Sequence, residues 1–262
     1  MNQGIRNIVI IGSGNVAWHY TRVFGEKGIR VLQILARNEK SARALSKDFN
    51  VPWISNPAQI DLSADLYIIT VRDDEIETVA RQIRLTDQLL VHTSGFTAMD
   101  ILAPASKNIG VIWPLQTLTA GKEVAFNKVP LFIEANSPAV LERFKAFTGL
   151  VSDNVLATDS LVRRKIHLAA VIASNLTNHL YTLAASVMEK ENTPFDVLVP
   201  LIIETAAKAA QQHPAECQTG PAVRNDLRVI REHLTLLKED PAFHDIYQLI
   251  SENIIHHHTK QK

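Results

Sequence analysis

Several polar side chains share one face of a long, otherwise apolar segment in the second half of the sequence. At 100° per residue of α-helix, one arc holds Arg164, His167, Val171, Ser174, Asn175 and Asn178. Histidine is the only residue type on this arc that exchanges protons near neutral pH, which makes His167 a candidate for proton transfer. Asn175 is the candidate for orienting the imidazole or a substrate. The alternative is that both side chains only form hydrogen bonds across a helix interface.

Two further groups are candidates for binding or chemistry. The segment Thr219–Asp226 reads as a loop that enters a helix, where free backbone N–H groups favour anions. Arg224 adds a guanidinium that can bind a substrate carboxylate through two hydrogen bonds; an Arg–Asp surface pair at a helix start is the alternative. Ser94, at the end of a predicted strand, is a weaker catalytic candidate, since such a serine often only caps the following turn.

Near the N-terminus, a glycine-rich turn joins a predicted strand to a predicted helix. The apolar run Ile8–Ile11 indicates a buried strand, and the sequence Gly-Ser-Gly-Asn-Val-Ala over residues 12–17 follows it. In this pattern Gly12 permits a tight turn, Gly14 lets backbone approach a pyrophosphate, and Ala17 lets the helix pack closely on the strand. An ordinary strand-to-helix turn is the alternative. We predict a dinucleotide site formed here by Gly12, Ser13, Gly14, Asn15 and Val16.

The end of the second predicted strand, Arg30–Ala36, indicates which dinucleotide is bound. A carboxylate at this point binds the ribose 2′-hydroxyl of NAD, whereas an arginine accommodates the 2′-phosphate of NADP. The sequence has Arg37 here, with Asn38 beside it. These residues favour NADP(H); the alternative is that Arg37 is an ordinary exposed arginine.

Short apolar runs alternate with helical segments up to about residue 157. This alternation predicts an α/β domain with a doubly wound, Rossmann-type parallel sheet, in which ligands bind beyond the carboxyl ends of the strands. Strands are predicted at Asp65–Val71, Leu89–His92 and Ile109–Ile112. Their ends add Val71, Arg72, Thr93 and Ser94 to the predicted cofactor site, and they place the nicotinamide near Pro114–Gln116.

From Thr158 the strand pattern disappears, and the rest of the chain is predicted to be helical. We therefore predict a dinucleotide-binding domain over 1–157 and an all-α substrate and dimerisation domain over 158–262. Helices are predicted at Leu161–Lys190, Asp196–Gln212, Pro221–Lys238 and from Asp240 to near His256. The stretch Ile166–Met188 is apolar on nearly all sides, which predicts a buried helix. One small bundle cannot cover such a helix, so we expect a homodimer through this domain.

Composition excludes several classes of function. Among 262 residues, 27 basic and 27 acidic side chains give a formal net charge of +0, which does not indicate nucleic-acid binding. Cys217 is the single cysteine, so no internal disulfide is possible and a reducing cytoplasm is expected. The first strand starts so early that we expect no signal peptide, and Ile166–Met188 is too polar to span a membrane. The run His256–His258 could bind metal, but we expect a solvated helix end and no metal site.

Several motifs along the chain belong together: Val71–Ile76, His92–Gly95, Pro114–Thr117, His167 with Asn175, and Thr219–Asp226 with His233 and Leu234. Their combination resembles a family of NADP oxidoreductases in which a Rossmann-like domain precedes a C-terminal domain of unknown function (DUF2520). This family falls within the pyrroline-5-carboxylate reductase and 6-phosphogluconate dehydrogenase superfamily. The resemblance implies a nicotinamide cofactor, a cleft between domains and dimerisation through the helical domain, but no particular substrate. Trp113 stands where the family is expected to carry a histidine.

Two classes of function fit these observations. The first is an oxidoreductase that moves a hydride between NADP(H) and a small carbonyl or imine, with Arg224 available for a substrate carboxylate. The second is a non-catalytic NADP(H)-binding sensor or scaffold protein. The polar face around His167 favours the enzyme, because a buried polar face needs partners that a ligand site supplies. A polar face turned away from the nicotinamide pocket would favour the sensor.

Overall fold

The structure, a computed structural model, describes residues 4–259. Contacts between residues divide the chain between Asn175 and Leu176 into two compact units. The last strand ends at Ala157, where we predict the domain boundary. The first unit nevertheless continues through the next helix, because Ile166 and Ala170 pack against the core beside the sheet.

The first unit is built on one eight-stranded sheet. Its spatial order is β3-β2-β1-β4-β5-β6-β7-β8. The strands are β1 (Asn7–Ile11), β2 (Arg30–Leu35), β3 (Trp53–Ile54), β4 (Leu66–Ile69), β5 (Leu89–His92), β6 (Asn108–Pro114), β7 (Leu131–Ala135) and β8 (Val155–Ala157).

The predicted Rossmann-type sheet is confirmed, except that it is not wholly parallel. All neighbouring strands are parallel apart from β6 and β7, which pair antiparallel. A parallel return needs a crossover, usually a helix. The segment between β6 and β7 holds only one 3₁₀ turn, Phe126–Lys128, so the chain turns back beside the strand that it has just left.

Helices cover both faces of this sheet. They are α1 (Asn15–Glu26), α2 (Glu39–Phe49), α3 (Ile76–Arg81), α4 (Pro138–Thr148) and α5 (Ser160–Ala170). Along β1, Ile8 and Ile10 enter one apolar core with α1 and α4, while Val9 and Ile11 enter a second core with α3. Burial on both faces explains why the strands read as continuous apolar runs rather than as alternating patterns.

The predicted long helix is present but is not a regular α-helix throughout. α5 begins after Asp159, whose side chain accepts a hydrogen bond from Val162 N at 2.8 Å. A π-helical turn, Val171–Leu176, follows α5 and leads into α6 (Thr177–Lys190). The prediction that this helix is buried is wrong for the single chain: within α6, which is described in full, no side chain is buried.

The second unit contains the remaining helices, α7 (Val199–Gln211), α8 (Pro214–Cys217), α9 (Leu227–Leu236) and α10 (Pro241–Thr259). The prediction that a helix starts at Pro221 is wrong. Residues 221–225 form turns, Asn225 adopts a left-handed φ of 53°, and Asp226 caps α9 by accepting from Val229 N at 3.2 Å. The predicted helix from Asp240 is confirmed, and Asp240 caps it by accepting from Phe243 N at 3.1 Å. None of the described helices is long and apolar enough to cross a membrane.

Candidate active site

The glycine-rich turn has the features that dinucleotide binding needs. Gly12 has a φ of +123°, and an added Cβ would lie 2.4 Å from Thr70 Oγ1, so packing against β4 excludes any side chain. A Cβ at Gly14 would meet nothing within 4 Å. Gly14 also caps α1 without a side-chain hydrogen bond, which leaves the first N–H groups of that helix for a ligand. The open space and free donors fit a pyrophosphate.

A cavity of about 550 Å³ opens at the carboxyl ends of β1, β2 and β4. The predicted cofactor residues that line it are Gly12, Ser13, Gly14, Arg37, Asn38, Val71 and Arg72. Sequence reasoning did not assign nine other lining residues to the cofactor site: Ile11, Leu35, Ala36, Ser55, Pro57, Thr70, Glu75, Val79 and Gln82. The predicted cofactor residues Asn15, Val16, Thr93 and Ser94 are not part of its lining.

Charged side chains lie close together where β2 ends at this cavity. Arg37 forms an ion pair with Glu75, although its side chain remains 70% exposed. Arg72 binds Asp74 through two hydrogen bonds of 3.2 and 3.0 Å. Asn38 caps α2 by accepting from Ser41 N at 3.1 Å. Arg37 therefore lines the cavity with its guanidinium already paired with a carboxylate.

Asn15 binds a loop rather than the cavity. Its Oδ1 accepts from Ala120 N at 3.1 Å. One and two turns further along α1, His19 Nε2 lies 3.0 Å from Thr119 O, and Arg22 donates to Val124 O at 2.9 Å. This face of α1 holds the segment that follows β6. The Oδ1 of Asn15 is thus used to hold this loop.

A second cavity, of about 500 Å³, lies between the carboxyl end of β6 and the helix that carries His167. Its lining contains Trp113, Pro114, Leu115, Gln116, Thr117, Ile166, His167, Ala169, Ala170, Val171, Ala173, Ser174 and Asn175. His167, Ser174 and Asn175 therefore face a cavity together with the Pro114–Gln116 segment. Arg164 does not, because it donates to Phe96 O at 2.8 Å and lies over the Phe96 ring.

The π-helical turn brings Asn175 closer to the direction of His167 than a regular α-helix would. A π turn accommodates one residue more than an α turn. Asn175, eight residues after His167, therefore takes the place that the seventh residue has in an uninterrupted α-helix. Residues seven apart share a helix face. Apolar periodicity in a sequence does not reveal such a turn.

The imidazole of His167 packs against a glycine and two aromatic rings. A Cβ added at Gly95 would lie 2.4 Å from His167 Cδ2 and 2.7 Å from Trp113 Cε2. The imidazole centroid lies 5.6 Å from that of Trp113 and 6.3 Å from that of Phe96. Trp113, which stands where the resemblance leads us to expect a histidine, thus contacts the candidate proton donor.

The hydroxyl of Ser94 caps the turn that follows β5. It donates to Asp73 Oδ2 at 2.7 Å and accepts from the N–H groups of Phe96 and Thr97 at 3.0 and 2.8 Å. Neither Ser94 nor Thr93 lines the described part of either cavity. The hydrogen bond from Ser94 to Asp73 joins the Val71–Ile76 motif to the His92–Gly95 motif. Both motifs therefore have a structural role in the same contact.

His92 is buried beneath this turn as a neutral imidazole. Its Nδ1 accepts from Ser94 N at 3.1 Å, and its Nε2 lies 3.3 Å from Ala98 O, so the proton belongs on Nε2. Burial, reinforced by the charge of Arg163, lowers the pKa of His92 to about 3. His92 is therefore a structural group at neutral pH.

Sequence reasoning missed a buried ion pair between Arg163 and Glu134. The Arg163 side chain is fully buried, and its Nη2 lies 3.0 Å from Glu134 Oε2. Its guanidinium also donates to the carbonyls of Ser94 and Thr97 at 2.9 Å each. The two partners are 29 residues apart, and nothing in the sequence distinguishes them from surface charges.

Arg224 lies in the second unit, exposed in the turn before α9. In the same unit, His233 Nδ1 lies 2.6 Å from Tyr247 Oη and joins α9 to α10. Asn178 also belongs to this unit. A role for Arg224 in substrate binding stays a prediction.

Comparison with known proteins identifies the family. Residues 7–94 match the family model described as NADP oxidoreductase coenzyme F420-dependent, and residues 129–254 match the domain of unknown function DUF2520. A Bacteroides fragilis protein, named provisionally as an NADP oxidoreductase, has 36% identity over 98% of this chain and 100% of that chain, with a TM-score of 0.88. The chain belongs to the family of NADP oxidoreductases that carry a C-terminal DUF2520 domain. The resemblance stated from the motifs is confirmed.

More distant solved structures share the fold. A Thermotoga maritima protein has 22% identity over 97% of this chain and 99% of that chain, with a TM-score of 0.74. An imine reductase from Myxococcus stipitatus, solved with NADP⁺, has 14% identity over 95% and 91% of the two chains, with a TM-score of 0.59. None of the curated proteins compared with the chain matches it.

Proposed function

We propose that this family member is an NADP(H)-dependent oxidoreductase that transfers a hydride to or from a small carbonyl or imine. The observation that carries the proposal is the second cavity, where His167 and Asn175 meet the Pro114–Thr117 segment beyond the end of β6. Ligands of open α/β sheets bind in this position. The imine reductase with the same fold, solved with NADP⁺, supports the same class of reaction.

The residues of the first cavity fit a nicotinamide dinucleotide. The Gly12–Gly14 turn and the free N–H groups of α1 would hold the pyrophosphate. Arg37 would bind a 2′-phosphate after releasing Glu75, which favours NADP(H) over NAD(H). When bound, the nicotinamide supplies or accepts the hydride.

His167 is the proposed proton donor to the oxygen or nitrogen that hydride transfer leaves electron-rich. In the part of the chain that the structure describes, its ring contacts are to Gly95, Trp113 and Phe96, and no group binds its nitrogens. Both nitrogens are therefore free for a substrate or a water molecule. The amide of Asn175, on the same cavity wall, would orient the substrate.

The cavity lining indicates the character of the substrate. The residues that line it are apolar or carry neutral amides, hydroxyls and one imidazole, with no carboxylate, lysine or arginine among them. Such a surface suits a small uncharged carbonyl or imine. A carboxylate-bearing substrate would need the guanidinium of Arg224.

A panel of substrates tests the proposal. NADPH oxidation is followed at 340 nm with uncharged ketones, uncharged cyclic imines and 2-oxo acids. We expect turnover with the uncharged compounds, and a loss of about 10²- to 10⁴-fold in kcat for His167→Asn with unchanged NADPH affinity. For an acidic substrate, Arg224→Ala should raise KM, whereas the neighbouring exposed Arg228→Ala should not. Tight NADPH binding without turnover of any compound would favour the sensor or scaffold.

We also propose that the active form is a homodimer through the helical unit. The support is a set of exposed apolar side chains in that unit, Leu176, Leu180, Val187, Val197, Leu201, Ile203, Leu236 and Leu249. Exposed apolar side chains in such numbers are typical of an association surface.

A further inference from the structure

The ring of His167 rests directly on the backbone of Gly95. A Cβ at position 95 would lie 2.4 Å from Cδ2 and 3.0 Å from Cγ of the imidazole. The Cγ–Cδ2 edge therefore faces the glycine, and both ring nitrogens lie on the remaining sides. Trp113 closes another side, because its Cε2 would lie 2.7 Å from the same Cβ. No other residue fits at position 95 unless one of these rings moves.

The loop that carries Gly95, Ser94–Thr97, is fixed on both sides of the glycine. Before it, the Ser94 hydroxyl binds Asp73, and Ser94 N binds His92 Nδ1. After it, the N–H groups of Phe96 and Thr97 donate to the Ser94 hydroxyl. The loop therefore has little freedom to yield when a neighbour pushes on Gly95.

Arg163 ties the same loop to the helix that carries His167. It stands four residues before His167, so both side chains leave one face of α5. Its Nη1 donates to Ser94 O and its Nη2 to Thr97 O, both at 2.9 Å. Glu134 balances the charge, and the Ser160 hydroxyl lies 3.0 Å from Nη2. A buried charge that binds two loop carbonyls fixes the helix and the loop in one relative position.

We propose that Gly95 and Arg163 are positioning residues for His167. Arg163 holds the Ser94–Thr97 loop against α5, and Gly95 leaves room for the Cγ–Cδ2 edge of the imidazole to rest on that loop with its nitrogens free. This role rests on the proposed proton transfer by His167. It explains why a buried arginine and a buried glycine accompany a histidine that lines a cavity.

Histidine ring resonances in the proton–carbon NMR spectrum of the full-length protein test the placement without a substrate. The signals of His167 are assigned by their loss in His167→Asn, and the rings of Trp113 and Phe96 give them distinctive shifts. In Gly95→Ala, we expect the His167 signals to move by more than their line width. The control is Gly25→Ala, because a Cβ at Gly25 would meet nothing within 4 Å; it should leave these signals in place.

Arg163 is tested in a form that keeps the core neutral. Arg163→Met alone leaves the buried Glu134 carboxylate without a counter-charge and is expected to unfold, so the test uses Arg163→Met with Glu134→Gln. We expect this double variant to fold, with the His167 signals displaced or broadened. Arg163→Lys retains the charge, so its His167 signals should lie closer to the wild-type positions than those of the double variant.

Turnover separates the positioning role from the proposed function. A misplacement of about 1 Å is expected to lower kcat about 100-fold in Gly95→Ala and to shift the pH profile of kcat, with NADPH affinity unchanged. Unmoved His167 signals in both Gly95→Ala and the double variant would overturn the positioning role. Displaced signals with undiminished turnover would support the positioning role and overturn proton donation by His167.

Discussion

The pair of Arg37 and Glu75 gives a quantitative prediction for cofactor choice. Arg37→Gln removes the guanidinium proposed for the 2′-phosphate. One hydrogen bond to a charged group contributes about 1.5–3 kcal/mol, so NADP⁺ affinity should fall about 10- to 150-fold. NAD⁺, which lacks the phosphate, should bind the variant about as well as it binds the wild type.

Glu75→Gln should change affinity in the opposite direction. The Arg37 side chain is 70% exposed, and an exposed ion pair contributes about 0.2–1 kcal/mol. Release of Arg37 from this pair should therefore tighten NADP⁺ binding by at most about fivefold. Added salt should reduce the effect, because it screens exposed charges.

Calorimetric titration of both cofactors into the wild type and each variant, at two salt concentrations, measures these changes. Arg30→Gln, at the opposite end of β2, is the matched control and should leave both affinities unchanged. Equal binding of NADP⁺ by wild type and Arg37→Gln would refute the role of Arg37. Weaker NADP⁺ binding by Glu75→Gln would show that the carboxylate supports the ribose instead of competing with the phosphate.

Three other predictions concern folding, binding and assembly. Burial lowers the pKa of His92 to about 3, whereas its value in the unfolded chain is 6.5, so its contribution to stability is complete above about pH 6.5 and is lost as the pH falls toward 3. The urea midpoint of unfolding should therefore fall more steeply with acid for wild type than for His92→Gln. Parallel curves for the two proteins would contradict this. Gly12→Ala should lower the free energy of unfolding by about 2 kcal/mol or more, whereas Gly14→Ala should keep stability and lose NADP⁺ affinity; loss of stability in both would contradict the ligand role of Gly14. Light scattering at micromolar concentration should give twice the mass of one chain, and less for Ile203→Glu; a folded wild-type monomer would refute the dimer.

Local sequence patterns were enough to predict most of the first unit. The apolar runs at Ile8–Ile11 and Leu89–His92 became buried strands, because strands covered on both faces need continuous apolar residues. Gly12 and Arg37 were predicted as site residues because the glycine-rich turn and the end of the second strand have fixed places in this fold. Both line the first cavity. The antiparallel direction of β7 was not predicted, because direction depends on the connection rather than on the strand itself.

Features that depend on contacts between distant residues were not predictable. Arg163 and Glu134 look like surface charges in the sequence, and only the fold buries them together. A glycine is needed at position 95 because the ring of His167, 72 residues later in the sequence, leaves no room for a Cβ there. The π-helical turn has no pattern of its own. α9 begins after Asn225 and not at Pro221, because Asn225 adopts a left-handed conformation that an α-helix does not allow.

A crystal structure with NADP⁺ bound tests the central claim most directly. We predict that the pyrophosphate lies against the start of α1, and that the nicotinamide lies beside Pro114–Thr117 with its C4 no more than one water molecule from His167. A nicotinamide turned away from this cavity, or a His167 ring separated from it by protein groups, would contradict proton donation by His167 and would favour a non-catalytic NADP(H)-binding protein.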